Sequence, residues 1–400
     1  MHRVARALLP ARVWHRPLRL ALVFFAFLIT ASCSRSSSVQ SFLSEPFPKN
    51  LSAWHFFQGQ PAKLQPNTRV IPYDLNTPLF SDNANKYRFV WMPPNTSATY
   101  KKDGVFDFPI GTVLIKTFAF PKENNPQQER LIETRLLVHT ESGWQGLPYI
   151  WNDSQTEAHL ELVPDPVPIR YTDADGKRHD FTYFIPNANE CKQCHENNHA
   201  TLPIGPKARN LNKDYAYATG TANQLTYWTK NRYLQGAPSP DQAPKLARWN
   251  DPNSGNLNSR ARAYLDNNCA HCHQPGGTAG YTGVDLRYIA AVGVGAPFLP
   301  SFARSEDSAS IATNGAGLRT FGICKSPNSA GRIGNLTYDL VPGHPDDSIL
   351  LARMESTRPK EMMPQIGRST VHEEGVALIR EWIQSLPEDS GECTKRASRQ

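Results

Sequence analysis

Two short segments of this 400-residue chain carry the residue types that do chemistry, Cys191-Lys-Gln-Cys194-His195 and Cys269-Ala-His-Cys272-His273. Two cysteines three positions apart share one helical turn, so both thiols can reach one edge of a planar group and add across its vinyl carbons. A histidine directly after the second cysteine is then aimed at a central iron from the same face, which is why C-x-x-C-H reads as an attachment site for covalent haem. Cys191, Cys194, Cys269 and Cys272 are the expected attachment points, and His195 and His273 the expected iron ligands. A four-cysteine zinc site or redox disulfides would use the same thiols. Neither requires a histidine at the fifth position, and the chain places one there twice. Two covalently bound haems are the cofactors expected.

The elements that must position these motifs differ on either side of residue 188. Residues 51–188 read as β-rich, with strands expected at 111–118, 131–139, 143–151, 159–163 and 179–184, because β-branched residues and alternating apolar positions recur there. Residues 121–128 carry Pro, Asn and charge, as a hairpin loop should. Residues 73–80 are a turn-rich approach. An antiparallel sheet or sandwich follows, its aromatics expected mainly in the core. After residue 250, 257–267 reads as a short helix delivering Cys269. Val376, Ile379, Ile383 and Leu386 recur at helical spacing and predict an amphipathic helix over 371–386. The stretch 276–335 is rich in Gly, Ala, Ser and Asn and reads as an inserted loop.

Between the two helices lies Glu361-Met362-Met363-Pro364. A helix running into C-x-x-C-H, a Met-Pro loop and a Gly-Val-x-x-Ile-x-x-Trp-Ile helix together resemble the small helical cytochrome c fold. In that family the methionine before proline is the sixth iron ligand, which implies Met363 for the second haem, with Met362 as its rival. The alternative is that both methionines fill a core gap; Met354 is expected in the core. The resulting fold expectation is an α+β multidomain chain, an N-terminal antiparallel β-rich domain followed by a mostly helical cytochrome c-like haem region.

The sixth position of the first haem has no such partner in the sequence. Leu202-Pro-Ile-Gly-Pro206 resembles the Gly-Pro that follows the motif in small cytochromes, where a backbone carbonyl orients the proximal imidazole. His199 lies one helical turn from His195 and would share its side of the ring, so it is expected to be exposed. Met92, His55, His139, His159 and His179 are distant candidates, and a vacant site is another. A β-rich domain ending in C-x-x-C-H also resembles the β-sheet c-prime-type cytochromes, whose haem is five-coordinate.

The amino terminus bears on the compartment. Residues 1–19 hold five arginines and no acid, 20–30 are apolar, and Ala31-Ser32-Cys33 follows. That is the pattern of a secretory signal, too short to span a membrane. Cys33 resembles the lipid-modified cysteine of bacterial lipoproteins, with serine rather than aspartate after it, as in those sorted to the outer membrane. The expected layout is a signal over 1–32, a flexible tether over 33–50, the β-rich domain over 51–188, a first haem segment over 189–250, a second haem region over 251–390 and a tail over 391–400. The full chain carries +7, but losing the signal's five arginines leaves 38 basic against 36 acidic side chains, a balance of +2 that gives no footprint for nucleic acid. Cys324 and Cys393 are left over, and an oxidising compartment suggests that they pair.

Tyr73-Asp-Leu-Asn-Thr-Pro-Leu-Phe-Ser81, Ile132-Glu-Thr-Arg-Leu-Leu137, Asn189-Glu-Cys-Lys-Gln-Cys-His195, Asn223-Gln-Leu225 and Met363-Pro together resemble a family of exported dihaem c-type cytochromes of Gram-negative bacteria, predicted lipoproteins. The resemblance implies electron transfer in the periplasm or at the outer membrane, with redox proteins and a parallel β-helix repeat protein as partners. Three readings follow: an electron carrier; an enzyme such as a peroxidase, or a small-ligand binder, acting at a five-coordinate first haem; and a docking module whose haems only wire it.

Overall fold

The computed structural model describes residues 37–288, 321–328, 331–387 and Cys393. The basic and apolar leader, Cys33, most of the inserted loop and most of the tail lie outside the described residues.

Six strands form the central sheet, β1 (Val70–Tyr73), β2 (Asn85–Trp91), β3 (Val113–Lys122), β4 (Asn125–Thr140), β5 (Gly143–Trp151) and β6 (Ala158–Leu160). Each pairs antiparallel with the next, so chain order and spatial order coincide. Period-two alternation sends Val113, Ile115 and Val138 to one face, where they pack with Trp54, Phe89, Leu147 and Tyr149. Leu114 and Leu137 go to the other face, against Tyr73, Leu75, Met92 and Trp228. Both faces are covered, which is why these strands read as nearly continuous apolar runs. Phe42 and Phe47 pack on the Trp54 ring at 4.9 and 6.4 Å, so the chain joins the core well before residue 50.

The loop expected over 121–128 is much shorter. Lys122 pairs with Asn125, leaving a two-residue turn. Backbone pairing continues past the apolar core because its hydrogen bonds do not depend on side-chain polarity.

The fold expectation for the carboxyl-terminal half is overturned. The described residues are mostly β, and among them there is no helical cytochrome c domain. Helices do form at Leu257–Asn268, Ile349–Glu355 and Glu373–Ser385, and they bury Leu265, Leu351, Leu378, Ile379 and Trp382 against one another. The described chain between the first two is turns, short 3₁₀ segments and isolated bridges. Its glycine- and asparagine-rich composition builds no helical layer, so periodicity located the helices without supplying a bundle. Ser37–Gln400 cluster as one compact unit.

Residues 74–82 explain that unity. Asn76 Nδ2 donates to the carbonyls of Arg209 and Asn212, and Thr77 Oγ1 to that of Ala247. The Phe80 amide donates to Asn268 Oδ1 at 2.7 Å. Asp82 accepts from the amides of Ser369 and Thr370 at 2.8 Å. A turn-rich stretch thus offers its polar groups to three later segments. A buried ion cluster adds a second seam, in which Asp266 accepts from Arg209 at 3.0 Å with Lys207 at 3.6 Å.

Candidate functional site

Cys191, Cys194 and His195 sit on helix Ala188–His195, which begins with a capping box between Asn187 and Glu190. Cys191 lies over Gly146 of β5, where a Cβ would come within 3.4 Å of the cysteine's own Cβ. At the helix end His195 Nδ1 meets the Leu202 carbonyl at 2.8 Å, while the Leu202 amide donates to the His195 carbonyl at 2.7 Å. The carbonyl fixes the proton on Nδ1 and leaves Nε2 as the free donor atom. Burial pushes the His195 pKa down to about 4, which keeps the imidazole neutral, the form that binds metals.

His195 and both cysteines line a cleft of about 160 Å³ that opens to solvent. Its sheet wall carries an unusual row: Arg88, Lys116 and Arg135 are direct cross-strand partners on β2, β3 and β4. Like charges placed opposite one another destabilise a sheet. The arginines have acids of their own, Asp74 Oδ1 at 3.1 Å from Arg88 and Glu133 Oε1 at 2.5 Å from Arg135. Tyr183 donates its hydroxyl to the same Glu133 oxygen at 2.7 Å. Lys116 stands between the arginines with no described hydrogen bond or ion pair, its Nζ 4.6 Å from the centre of the Phe118 ring. Burial, then the neighbouring cations, push its pKa well below the ordinary lysine range.

The second motif abuts the first. Helix Leu257–Asn268 delivers Cys269, and the Cys272 and His273 amides both donate to the Cys269 carbonyl, continuing the turn. Cys272 Sγ and Thr278 Oγ1 contact the Gln193 carbonyl at 3.1 and 2.7 Å. The Asn198 amide donates to Gly276 O at 2.8 Å, and Asn197 Nδ2 to Pro275 O at 3.0 Å. Glycine is required at 277, where a Cβ would stand 2.4 Å from the Cys272 carbonyl. Cys194, Cys272 and His271 bring one donor atom each to within 4.8 Å of one another. Their closeness lowers the Cys272 thiol pKa and raises that of Cys194. His273 Nδ1 has a longer contact, 3.4 Å to Thr282 Oγ1.

Met363 sits in a loop clamped by two arginines. Its amide donates to Arg353 O, and its carbonyl accepts from Arg368 Nε at 3.1 Å. Arg368 also donates to the carbonyls of Arg353, Ser356 and Thr370, and Arg353 to those of Lys360, Glu361 and Gly331. The described contacts do not join the Met363 thioether to His273, while the loop's next residues, Pro364, Ile366 and Gly367, line the cleft of the first motif. Met362 stays on the loop, its amide bonded to Arg358 O. Met354 is buried among the helices.

The distant candidates for the first site are engaged elsewhere. Met92 is fully buried in the core, and His139 stacks on Trp144 at 4.4 Å with Nδ1 on the Phe108 carbonyl. His159 bonds Asn50, and His179 bonds Asp173. Neither these nor His55 lines the cleft, and the His199 side chain is fully exposed. His271 does line it, from inside the second motif. Cys324 and Cys393 form a disulfide with Cα atoms 4.9 Å apart. The sequence reading passed over His271, the cation row and the arginine clamp. Lys116 and Glu133-x-Arg135 did leave a signal, as charges set inside otherwise apolar strands.

No family model, curated protein or solved structure matches the chain, so its reading rests on its own residues.

Proposed function

We propose that this chain is an electron-carrying c-type cytochrome with two covalent haems, one on Cys191, Cys194 and His195, the other on Cys269, Cys272 and His273. The observation that carries the reading is one cleft holding a C-x-x-C-H turn, an imidazole tethered at Nδ1, and a row of three cations. A haem presents vinyl groups, an iron and two carboxylates, and the cleft offers a complement to each. Attachment adds each S–H across a vinyl C=C, forming one C–S and one C–H bond, so no oxidant is needed. When bound, the haem supplies reversible one-electron transfer.

The chain's own residues do the rest. The Leu202 carbonyl orients His195. Arg88, Lys116 and Arg135 would hold the carboxylates. Met363 is the proposed thioether for the second site, on a loop that Arg353 and Arg368 hold in place. The same reading puts the protein outside the cytoplasm, anchored to the outer membrane through Cys33, with redox proteins and a β-helix repeat protein as partners. The Cys324–Cys393 disulfide supports an oxidising compartment.

The test is mass spectrometry of the denatured, reduced chain made in a host that attaches haem to exported proteins. A mass raised by two haems is expected, falling to one in Cys191→Ala/Cys194→Ala and in Cys269→Ala/Cys272→Ala. An unmodified chain from the same host sinks the proposal. The convergence of Cys194, His271 and Cys272 favours a second reading, a site for a soft metal ion. An unmodified chain retaining one zinc per molecule would establish it.

A further inference from the structure

We infer that His271 is the sixth ligand of the first haem iron, donated across the seam by the second motif. The inference rests on the dihaem reading. His271 stands between Cys269 and Cys272, positions that commit its neighbours to the second haem while leaving its own side chain free to point elsewhere. It points into the first cleft, lining it together with His195, Cys191 and Cys194. The residue is 5% exposed, and its Nδ1 has no hydrogen-bond partner. A buried ring nitrogen without a partner is costly, and a ligand entering the cleft beside it would relieve that cost. The sulfurs of Cys194 and Cys272 lie within 4.8 Å of one of its ring nitrogens. Once both sulfurs are thioethers they are weak acceptors, and the imidazole needs another partner.

Iron is that partner. A neutral imidazole is a strong iron donor, and with His195 on one side the first haem would be ligated by two histidines. Among the residues lining the cleft, His271 is the one histidine besides His195, and no methionine lines it. Lys116, Tyr73 and Glu190 also line it with donor atoms, but Lys116 belongs to the cation row on the sheet and Glu190 is held in the capping box of its helix. Ligation by His271 would also bind the two haem sites mechanically, since one turn of chain would carry a ligand of the first iron and both attachment points of the second.

The experiment is low-temperature EPR of the ferric holoprotein, with haem content measured by mass on every sample. Loss of covalent haem from the wild-type chain would overturn the dihaem reading itself and take this inference with it. With two haems attached, wild type is expected to show two low-spin signals. His271→Ala, still carrying two haems, is expected to convert one equivalent to high spin, and added imidazole should restore it. His271→Met should stay low-spin, with that haem's midpoint potential raised. His271→Ala/Met363→Ala should convert both equivalents. A high-spin first haem in wild type overturns the inference while the dihaem reading stands. So does a His271→Ala spectrum identical to wild type, or conversion to high spin by Lys116→Leu instead.

Discussion

Lys116→Met should change sign with haem content. Lys116 lies directly opposite Arg88 on one side and Arg135 on the other. Two unit charges about 6 Å apart at an effective dielectric near 20 repel by about 3 kcal/mol. Asp74 and Glu133 each hold one of the arginines, which offsets much of that repulsion. A residual cost of about 2 kcal/mol is reasonable for a buried ammonium left without a partner. Methionine keeps the length and apolar contacts of the lysine stem and removes the charge. The haem-free protein, made as Cys191→Ala/Cys194→Ala/Cys269→Ala/Cys272→Ala, should therefore gain about 2 kcal/mol in urea unfolding when Lys116→Met is added, since isosteric removal of an uncompensated charge stabilises. In the haem-loaded protein the same substitution should lower stability by about 1–3 kcal/mol, because a carboxylate would lose its partner. Both denaturation curves should be taken at pH 7 and in low salt, where screening is weakest. Destabilisation of the haem-free protein by Lys116→Met would refute the reasoning, since it would mean that the ammonium is already paired.

Arg368→Gln should leave several buried carbonyls of the 353–370 loop without donors, cost about 2–4 kcal/mol by thermal unfolding, and alter the visible spectrum of the second haem more than that of the first. Asp266→Asn should cost about 3–5 kcal/mol, because Arg209 and Lys207 would be left buried without their acid; an unchanged denaturation midpoint would count against the seam. His372 stacks on Phe80 at 4.2 Å, its Nδ1 meets the Tyr264 hydroxyl at 2.9 Å, and burial pushes its pKa down to about 4. A depressed histidine makes the unfolded state the better proton binder, so its contribution is present above the unfolded pKa of about 6.5 and is lost as pH falls from there towards 4. The full loss is about 3 kcal/mol, and His372→Phe should flatten stability across that window.

The strands β3 to β6 were legible because half-buried and fully buried strands leave different apolar patterns, and β5 falls at the residues predicted for it, whereas β1 and β2 were not read as strands. The carboxyl-terminal half was misread for a physical reason. Helical periodicity at Leu378, Ile379, Trp382 and Ile383 reports a buried face, but it does not say what the face is buried against. The same pattern serves a bundle or a single helix laid on irregular chain. His271 was hidden differently: C-x-x-C-H treats the two middle positions as free, and a side chain there can belong to another site. The cation row could not be seen as a row, because Arg88, Lys116 and Arg135 meet only through strand register.

The stretch 74–82 shows what the architecture achieves. Asp74 holds Arg88 and Lys213, Asn76 and Thr77 hold the chain that follows the first motif, Phe80 N holds the helix that delivers the second motif, and Asp82 holds the end of the Met363 loop. Each bond is short-range, yet together they tie the chain around both motifs to the segment that links β1 and β2. Two redox groups whose separation varied would exchange electrons at a rate set by motion. Two groups whose attachment turns are joined by Thr278 Oγ1 on the Gln193 carbonyl, the Asn198 amide on Gly276 O and Asn197 Nδ2 on Pro275 O cannot drift apart without breaking those bonds. Breaking the seam should therefore slow electron exchange between the sites before it unfolds the chain. Asp82→Asn is the mild perturbation that separates those outcomes, because the amide oxygen can still accept from Ser369 and Thr370 while the charge is gone.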